Sequence, residues 1–396
     1  MTGDPKNWKK QTQLVRGGLD RSPNRETAEA LYMTSGYVYE NAEEAEAAFR
    51  GESDRYVYSR YGNPTVRMLE DRLAMLEGAE ACRMTGTGMA AIFGALACQL
   101  KAGDRIVASR ALFGACYAIV SRILPRWGVE TELVDGRDLA AWEAALARPA
   151  KLVFLESPSN PILQLVDIKA VSELAHAAGA LVVVDNVFAS PIYQAPLELG
   201  ADIVTYSATK HIDGQGRLLA GAVLGTHEFV EEVFLPFYRQ TGAAVSAFNA
   251  WVMLKSLETL ELRVAQMTAN AGRLADWLAD QKQVAGLAWP GHPSHPQYEL
   301  ACRQMSGGSS LMAFHLPGGK GQAFAFLNAL QLIDISNNLG DAKSLACHPA
   351  STTHMNLTQE ERDALEITDG HIRLSVGLEH SDDLIADLEQ ALQAAG

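Results

Sequence analysis

Two short apolar runs in this chain end in polar residues with distinctive chemistry. The first run ends in Asp185, and the second leads into a Ser-x-Thr-Lys sequence formed by Ser207, Thr209 and Lys210. A lysine amine bonds an aldehyde, a carboxylate keeps a ring nitrogen protonated, and paired hydroxyls bind a phosphate. These are the requirements of pyridoxal phosphate (PLP), so the pattern predicts a PLP site with Lys210 as the attached lysine.

Each of these residues also has an ordinary structural explanation. A lysine after a strand is usually solvated, and an aspartate there often forms a turn or caps a helix. The combination favours the functional interpretation, because the carboxyl ends of strands in an open α/β sheet form one ligand crevice. We therefore expect these residues to lie at neighbouring strand ends of one sheet.

A glycine-rich turn precedes an apolar helix that begins at Gly88 and Met89. Backbone N–H groups at such a helix start bind anions, which predicts a phosphate site. Gly86, Gly88 and Ala91 also match the weak G-x-G-x-x-[G/A] dinucleotide pattern. That alternative requires an acidic residue at the end of the next strand, where the chain has Arg110. We therefore favour a phosphate site over a nicotinamide site.

Two further polar residues are candidates for the same site. Asn160 follows an apolar strand within a proline-rich turn, which places it at the sheet edge that carries Asp185 and Lys210. Arg373 interrupts an apolar strand, where an unpaired charge is uncommon. Its planar guanidinium suits a substrate carboxylate.

Composition and charge exclude several other classes of function. The 396 residues include 48% hydrophobic and 20% charged residues, an ordinary balance for a folded globular protein. The net charge of −14 argues against a nucleic-acid partner bound through a basic face. Scattered cysteines, short apolar runs and the lack of a secretory pattern predict a cytoplasmic protein with no membrane segment. Cys347, His348 and His354 lack the spacing of a metal site, so we predict no metal.

The order of segments predicts three regions. Residues 1–60 are polar and rich in tyrosine, which indicates an arm that lies against something other than itself. Residues 61–255 alternate strands and helices, which predicts a large α/β domain with a mostly parallel sheet and helices on both faces. Residues 256–396 predict a smaller α+β domain.

Hydrophobic periodicity places particular helices within these regions. Apolar residues three or four apart predict a helix that begins at Pro64 and ends at Gly78. The same periodicity predicts one long helix near residues 246–262 and a separate helix near 269–280.

These features resemble the Cys/Met-metabolism, or cystathionine γ-synthase-like, family of fold-type I PLP-dependent enzymes, over nearly the whole chain. The motifs that carry the resemblance are residues 58–65, 88–89, 185–186, 207–211, 348–351 and 373–377. The resemblance implies a fold-type I PLP-dependent transferase with PLP as its cofactor.

The resemblance also implies a role for each candidate residue. Lys210 would bond the cofactor and move protons, Asp185 would contact the ring nitrogen, and Asn160 would bond the ring hydroxyl. Phe113 would stack on the ring, and Arg373 would bind the substrate carboxylate. The phosphate would be held by Gly88, Met89, Ser207 and Thr209.

Two arm residues would act in a neighbouring subunit. In the family, the residues that match Tyr58 and Arg60 reach the cofactor phosphate of the adjacent chain. The resemblance therefore implies a homotetramer of two catalytic dimers. It also makes Tyr58, together with Lys210, a candidate proton carrier.

Departures from the common family pattern indicate the reaction. Most members carry a tyrosine where this chain has Phe113, and a serine where it has Asn338. Together with the sequence Gly-Gln-Gly-Arg that ends at Arg217, these residues resemble the members that replace the succinyl group of O-succinyl-L-homoserine by sulfide. The implied products are L-homocysteine, for methionine biosynthesis, and succinate. Substrate binding would then involve Arg373, Asn338 and Arg217.

The succinyl group has a second carboxylate, which predicts a nearby cation. Arg217, Lys343 and Arg110 are the candidates, in that order. Other reactions stay open, namely cysteine as the nucleophile, an acetyl ester as the substrate, γ-elimination, and PLP binding without catalysis. The expected partners are small molecules and other copies of the chain, with no nucleic acid and no membrane.

Overall fold

Two sheets form the framework of the structure, a computed structural model that describes residues 4–396. The larger sheet has seven strands: β1 (Ala81–Thr85), β2 (Arg105–Ser109), β3 (Glu130–Val134), β4 (Leu152–Glu156), β5 (Leu181–Asp185), β6 (Ile203–Ser207) and β7 (Gly221–Gly225). Their spatial order is β1-β7-β6-β5-β4-β2-β3, and every neighbouring pair is parallel except the two that involve β7. The predicted mostly parallel sheet is confirmed.

Helices cover both faces of this sheet. The helices of this part of the chain are α1 (Lys10–Arg16), α2 (Ala42–Phe49), α3 (Pro64–Glu77), α4 (Gly88–Ala97), α5 (Gly114–Ala118), α6 (Leu139–Leu146), α7 (Ile168–Ala177), α8 (Ser190–Tyr193), α9 (Leu235–Thr241) and α10 (Ala247–Leu257). Successive strand residues face opposite sides of a sheet. In β4, Leu152 and Phe154 therefore pack with α4, whereas Val153 and Leu155 pack with α6 and α7. Burial on both faces explains why the central strands β4 and β5 are apolar up to their last residue.

Helix α3 shows how local sequence sets a helix boundary. The Asn63 side-chain oxygen caps the helix by accepting the Thr65 N–H at 3.0 Å, and Pro64 fixes the first turn. Gly78 ends the helix with φ 75°, a left-handed conformation that favours glycine. The predicted helix from Pro64 to Gly78 is confirmed.

The predicted helices near residues 246–262 and 269–280 are wrong in their boundaries. The chain instead breaks after α10, and two residues separate the end of α10 from the start of α11 (Leu260–Ala279). Leu257 and Leu260, on either side of the break, are both fully buried. The apolar pattern therefore continues across the break and did not reveal it.

The smaller sheet lies in the C-terminal part of the chain. Its strands are β8 (Gly286–Ala288), β9 (Leu311–His315), β10 (Asp334–Ile335), β11 (Leu345–Cys347) and β12 (His371–Ser375), in the order β10-β11-β12-β9-β8. The accompanying helices are α11, α12 (Tyr298–Gln304), α13 (Gly319–Ala329), α14 (Gln359–Ala364) and α15 (Ser381–Ala395). This sheet forms its own core with α13 and α15, and α11 contributes to the cores of both sheets. None of the helices within residues 4–396 has the length and apolar character needed to cross a membrane.

Candidate active site

Lys210 lies just after β6, beside the carboxyl ends of β5 and β4. Asp185, the last residue of β5, pairs in the sheet with Thr205 of β6 and with Glu156, the last residue of β4. The turn after β6 holds Lys210, whose backbone N–H donates to the Ser207 carbonyl oxygen at 3.1 Å. The polar residues at these strand ends therefore lie side by side, as predicted.

The amino group of Lys210 is part-buried and directed at Asn338. Its Nζ donates a hydrogen bond of 2.6 Å to the Asn338 side-chain oxygen. Burial, and then the positive charge of Arg373, lower the pKa of Lys210 from 10.5 to about 8. At pH 7 this pKa gives a neutral fraction roughly 300-fold larger than that of an ordinary lysine. The neutral amine is the form that attacks an aldehyde.

A close backbone contact holds Asn338 in this position. Gly340 has φ 68°, and a Cβ placed on it would lie 2.7 Å from the His211 nitrogen and 3.1 Å from the Lys210 carbonyl carbon. The Gly340 N–H also donates to Ser375 Oγ at 2.8 Å. The loop that carries Asn338 lies directly against the Lys210 turn, and both this close approach and the positive φ therefore require glycine at position 340.

Arg373, in β12, is buried beside Asn338. Its guanidinium donates to the Asn160 side-chain oxygen at 3.0 Å, and to the carbonyl oxygens of Asn337 and Asn338 at 2.8 and 3.2 Å. Its Nε–H has no hydrogen-bond partner within residues 4–396, although buried donors are usually paired. These contacts use at most three of the five guanidinium N–H groups, so the guanidinium is fixed in place and keeps at least two N–H groups for a ligand carboxylate.

Glu156 was not predicted as a site residue, yet it links two loops around Lys210. Its carboxylate oxygens accept the backbone N–H groups of Phe113 at 2.7 Å and of Asn160 at 2.8 Å. The carboxylate therefore fixes both loops relative to each other. The signal in the sequence was an acid at the end of an apolar strand, the same signal that identified Asp185.

Two buried carboxylates meet at these strand ends. Burial raises the pKa of Asp185 to about 7, and burial together with the Asp185 charge raises the pKa of Glu156 well above its usual range. Within the described residues, Asp185 accepts one hydrogen bond, from the Val187 N–H at 3.1 Å. A protonated ring nitrogen at the Asp185 carboxylate would restore its ionised form, so the site fits PLP. We call the following residues the Lys210 cluster: Lys210, Asn338, Arg373, Asn160, Glu156 and Asp185.

The start of α4 and the end of β6 form a cradle for an anion. A Cβ placed on Gly88 would lie 2.6 Å from the Ser207 Cβ and 2.7 Å from its hydroxyl oxygen, so only glycine permits this approach. Backbone N–H groups from Gly88 and Met89 at the helix start, with the Ser207 hydroxyl, suit a phosphate. Thr209 differs from Ser207, because its hydroxyl donates to the Ala220 carbonyl oxygen at 3.2 Å and accepts the Ala220 N–H at 3.1 Å. The Thr209 hydroxyl hydrogen is therefore not directed at the cradle.

The two arm residues do not join the Lys210 cluster within the described chain. Arg60 lies over the rings of Tyr58 and Tyr61, 5.5 and 4.7 Å from their centroids, and it donates to the Arg239 carbonyl oxygen. The Tyr58 side chain is 42% exposed. It therefore remains accessible to another molecule.

Two of the three cations predicted to bind the second carboxylate are paired within the chain. Arg217 donates through Nε to the buried Asp213 carboxylate at 2.9 Å and also bonds Ser256. Lys343 pairs with Asp341 at 3.0 Å. The structure thus places Arg217 in an ion pair and does not bring it to the Lys210 cluster.

The whole chain, and not only the Lys210 cluster, is similar to known proteins. It matches the family described as Cys/Met metabolism PLP-dependent enzyme over residues 11–393. It is 57% identical over 382 residues to an O-succinylhomoserine sulfhydrylase of Mycobacterium tuberculosis, which covers 96% of this chain and 94% of that protein. It is 47% identical over 383 residues to the protein of the same name from Pseudomonas aeruginosa, with 97% and 95% covered.

A solved structure extends this similarity to the fold and the cofactor. The structure comes from Campylobacter jejuni, is named as an O-acetylhomoserine (thiol)-lyase, and superposes with a TM-score of 0.94 at 31% identity. The alignment covers 98% of this chain and 100% of that chain, which contains N′-pyridoxyl-lysine-5′-monophosphate. Family, fold and site geometry lead to the same conclusion. This chain belongs to the Cys/Met metabolism family of PLP-dependent enzymes.

Proposed function

We propose that the protein replaces the succinyl group of O-succinyl-L-homoserine by sulfide, producing L-homocysteine for methionine biosynthesis and succinate. The observation that carries this proposal is the identity of 57% and 47%, over nearly the full chain, to two proteins that bear the name of this activity. The Lys210 cluster supports it, because an amine, a fixed guanidinium and a ring-binding carboxylate lie together.

The residues of the Lys210 cluster orient the substrate and move its protons. When bound, PLP withdraws electrons from the substrate and so weakens its bonds to hydrogen and to the leaving group. Arg373 binds the substrate α-carboxylate through N–H groups that it does not use within the chain and so fixes the amino acid beside Lys210. The Lys210 amine, with its pKa lowered to about 8, removes and returns protons at the α- and β-carbons. Asn338 orients that amine through the 2.6 Å hydrogen bond.

Four parts of the site hold the cofactor in this proposal. Asp185 bonds the ring nitrogen, and the Asn160 amide, whose oxygen is bonded to Arg373, donates to the ring hydroxyl. Phe113 stacks on the ring from the loop that Glu156 fixes. The phosphate is bound by Gly88, Met89 and Ser207, and not by the Thr209 hydroxyl, whose hydrogen is donated to the Ala220 carbonyl oxygen.

A proton carrier other than Phe113 is needed at the leaving group, because a phenyl ring has no hydroxyl. We assign this role to Lys210 and to Tyr58 of a neighbouring copy, whose Arg60 would reach the phosphate. The arm supports a shared site, because several of its large apolar side chains are exposed, namely Met33 (70%), Val38 (87%) and Phe49 (69%). The proposed assembly is a homotetramer of two catalytic dimers.

A product assay with four substrate combinations tests the reaction. Purified holoenzyme receives O-succinyl- or O-acetyl-homoserine, each with sulfide or cysteine, and mass spectrometry identifies the products. We expect the highest kcat/KM for the succinyl ester with sulfide, yielding homocysteine and succinate. Cystathionine as the main product would indicate cysteine as the nucleophile, and 2-oxobutyrate would indicate γ-elimination. Either result would overturn the proposal.

Mixed oligomers test the shared site. Lys210→Ala and Tyr58→Phe should each lose most activity as separate proteins, whereas Tyr32→Phe, a control in another exposed arm tyrosine, should not. If Tyr58 acts across a subunit boundary, co-expressed Lys210→Ala and Tyr58→Phe chains should regain activity, because some sites then receive both native residues. Full activity of Tyr58→Phe alone, or a monomer in light scattering, would contradict the shared site.

A further inference from the structure

A large cavity adjoins the Lys210 cluster on the side of Phe113. Its volume is about 790 Å³, within the range of about 300 to 1,000 Å³ typical of small-molecule pockets. Asn337 lines it, and the Asn337 carbonyl oxygen accepts a hydrogen bond from Arg373. Cys347, also in the wall, pairs with Arg373 between β11 and β12. The cavity therefore continues the site where the substrate carboxylate is proposed to bind.

The described residues of the cavity wall include no aspartate or glutamate, although the chain has a net charge of −14. The wall has one arginine, Arg122. It also has a group of hydroxyl and amide side chains, namely Asn328, Ser336, Ser351, Thr352 and Thr353. An anion in the cavity would therefore meet a guanidinium and several neutral donors without a carboxylate in the wall to repel it.

Arg122 is available for a ligand within the described chain. Its guanidinium makes one hydrogen bond, a 3.3 Å contact to the Asn356 carbonyl oxygen, and forms no salt bridge within residues 4–396. Glu361, whose pKa is lowered in part by the Arg122 charge, is already bonded by the Tyr117 hydroxyl and the Thr358 N–H. Arg122 thus differs from Arg217 and Lys343, which are both paired with aspartates.

The backbone around Arg122 is unusual and firmly anchored. Arg122 lies in a π-helical turn, Ile119–Ile123, which directly follows α5. Such turns are rare and occur frequently at functional sites. The buried side chains of Ile119, Val120 and Leu124 hold this turn in the core of the large sheet. The guanidinium therefore extends from a fixed support.

The two histidines of the wall are less suited than Arg122 to bind an anion. Burial lowers the pKa of His354 to about 4, so its ring is neutral at pH 7. His348 uses both ring nitrogens, because Nε2–H donates to the Asp369 carbonyl oxygen and Nδ1 is bonded to the Ser351 hydroxyl, each at 2.8 Å. Arg122 is therefore the cation of this wall with N–H groups to spare, since its guanidinium makes one hydrogen bond within the described chain.

We infer that the cavity is the leaving-group subsite and that Arg122 binds the terminal carboxylate of the succinyl group. This inference rests on the proposed function and names the cation that function requires. Arg217, Lys343 and Arg110 do not line the cavity. A substrate with a carboxylate at each end is held by Arg373 at one end and by Arg122 at the other. An acetyl ester lacks the second carboxylate and gains nothing from Arg122.

Arg122→Ala, Arg122→Lys and the control Arg126→Ala test this inference. Arg126 is an exposed arginine in the next helical turn and does not line the cavity. In Arg122→Ala, kcat/KM for the succinyl ester with sulfide should fall about tenfold or more, mainly through KM. The value for the acetyl ester should change less than about twofold. Arg122→Lys should retain part of the preference for the succinyl ester, and Arg126→Ala should behave as wild type.

Succinate binding separates failure of the subsite from failure of the proposed function. By calorimetry on the holoenzyme, wild type should bind succinate, and Arg122→Ala should bind it about tenfold more weakly. If wild type binds succinate through Arg122 but turns over neither ester with sulfide, the proposed function is wrong and the subsite stands. If the esters react but Arg122→Ala keeps wild-type selectivity and succinate affinity, the subsite is wrong. Equal losses for both esters would also overturn it.

Discussion

Replacing Glu156 by glutamine should weaken both the fold and cofactor binding. The Glu156 carboxylate accepts two backbone N–H groups, at 2.7 and 2.8 Å, and so fixes the loops of Phe113 and Asn160. A glutamine offers one acceptor oxygen and would turn its NH₂ group toward the second N–H. One buried backbone N–H would then face the glutamine NH₂ group and lose its acceptor, which costs about 1–3 kcal/mol in either protonation state of Glu156. We expect the free energy of unfolding to fall by about 1–3 kcal/mol.

Urea unfolding measures this loss, and Glu77→Gln provides a matched control. Glu77 is also buried, but it accepts a single side-chain hydrogen bond, from the Tyr206 hydroxyl at 2.6 Å. Burial raises the pKa of Glu77 to about 8, so this group is mostly protonated at pH 7 and glutamine resembles it. We therefore expect Glu77→Gln to cost less than about 1 kcal/mol.

Cofactor affinity provides the second readout for Glu156→Gln. Displacing Phe113 and Asn160 should weaken PLP binding to the apoenzyme about tenfold, measured by absorbance titration, which corresponds to about 1.4 kcal/mol. Equal unfolding free energies for Glu156→Gln and Glu77→Gln, together with unchanged PLP affinity, would refute the role of Glu156 in fixing the two loops.

Two other predictions concern the Lys210 turn. Gly340→Ala should lower the free energy of unfolding by about 1–3 kcal/mol in urea, because φ 68° and the 2.7 Å approach to His211 exclude a Cβ. Gly321→Ala, in open space within α13, should leave the free energy of unfolding unchanged or raise it. Equal changes in this free energy for the two variants would contradict the requirement for glycine at position 340. The rate of PLP uptake by the apoenzyme should rise with pH to a midpoint near 8, where the Lys210 amine becomes neutral, and not continue to 10.5 as for an ordinary lysine. Arg373→Met should move that midpoint upward, because the Arg373 charge lowers the pKa of Lys210, and an unmoved midpoint would contradict this cause.

Much of the Lys210 cluster could be predicted because its residues interrupt apolar patterns. Asp185 and Lys210 follow apolar strands, and parallel strands that end at one sheet edge bring such residues together. Arg373 was recognisable as a charge within an apolar strand, and Asn160 by its place after another strand. The structure joins the last two by a hydrogen bond of 3.0 Å.

Other features depend on contacts that no local pattern records. Leu257 and Leu260 continue one apolar face, so the end of α10 was invisible in the periodicity. Glu156 was visible as a strand-end acid, but its two backbone partners lie on separate loops. Arg122 belongs to no motif, and only the folded chain places it in the wall of the cavity that Asn337 also lines.

Reduction with borohydride followed by peptide mass spectrometry tests the central claim, that Lys210 carries the cofactor, most directly. Reduction fixes PLP on the lysine that holds it, and the modified peptide is then identified by its sequence. We predict the pyridoxyl group on the peptide that contains Lys210, and its complete loss in Lys210→Ala. A pyridoxyl group on a different lysine, or an unmodified Lys210 peptide from holoenzyme, would contradict the account.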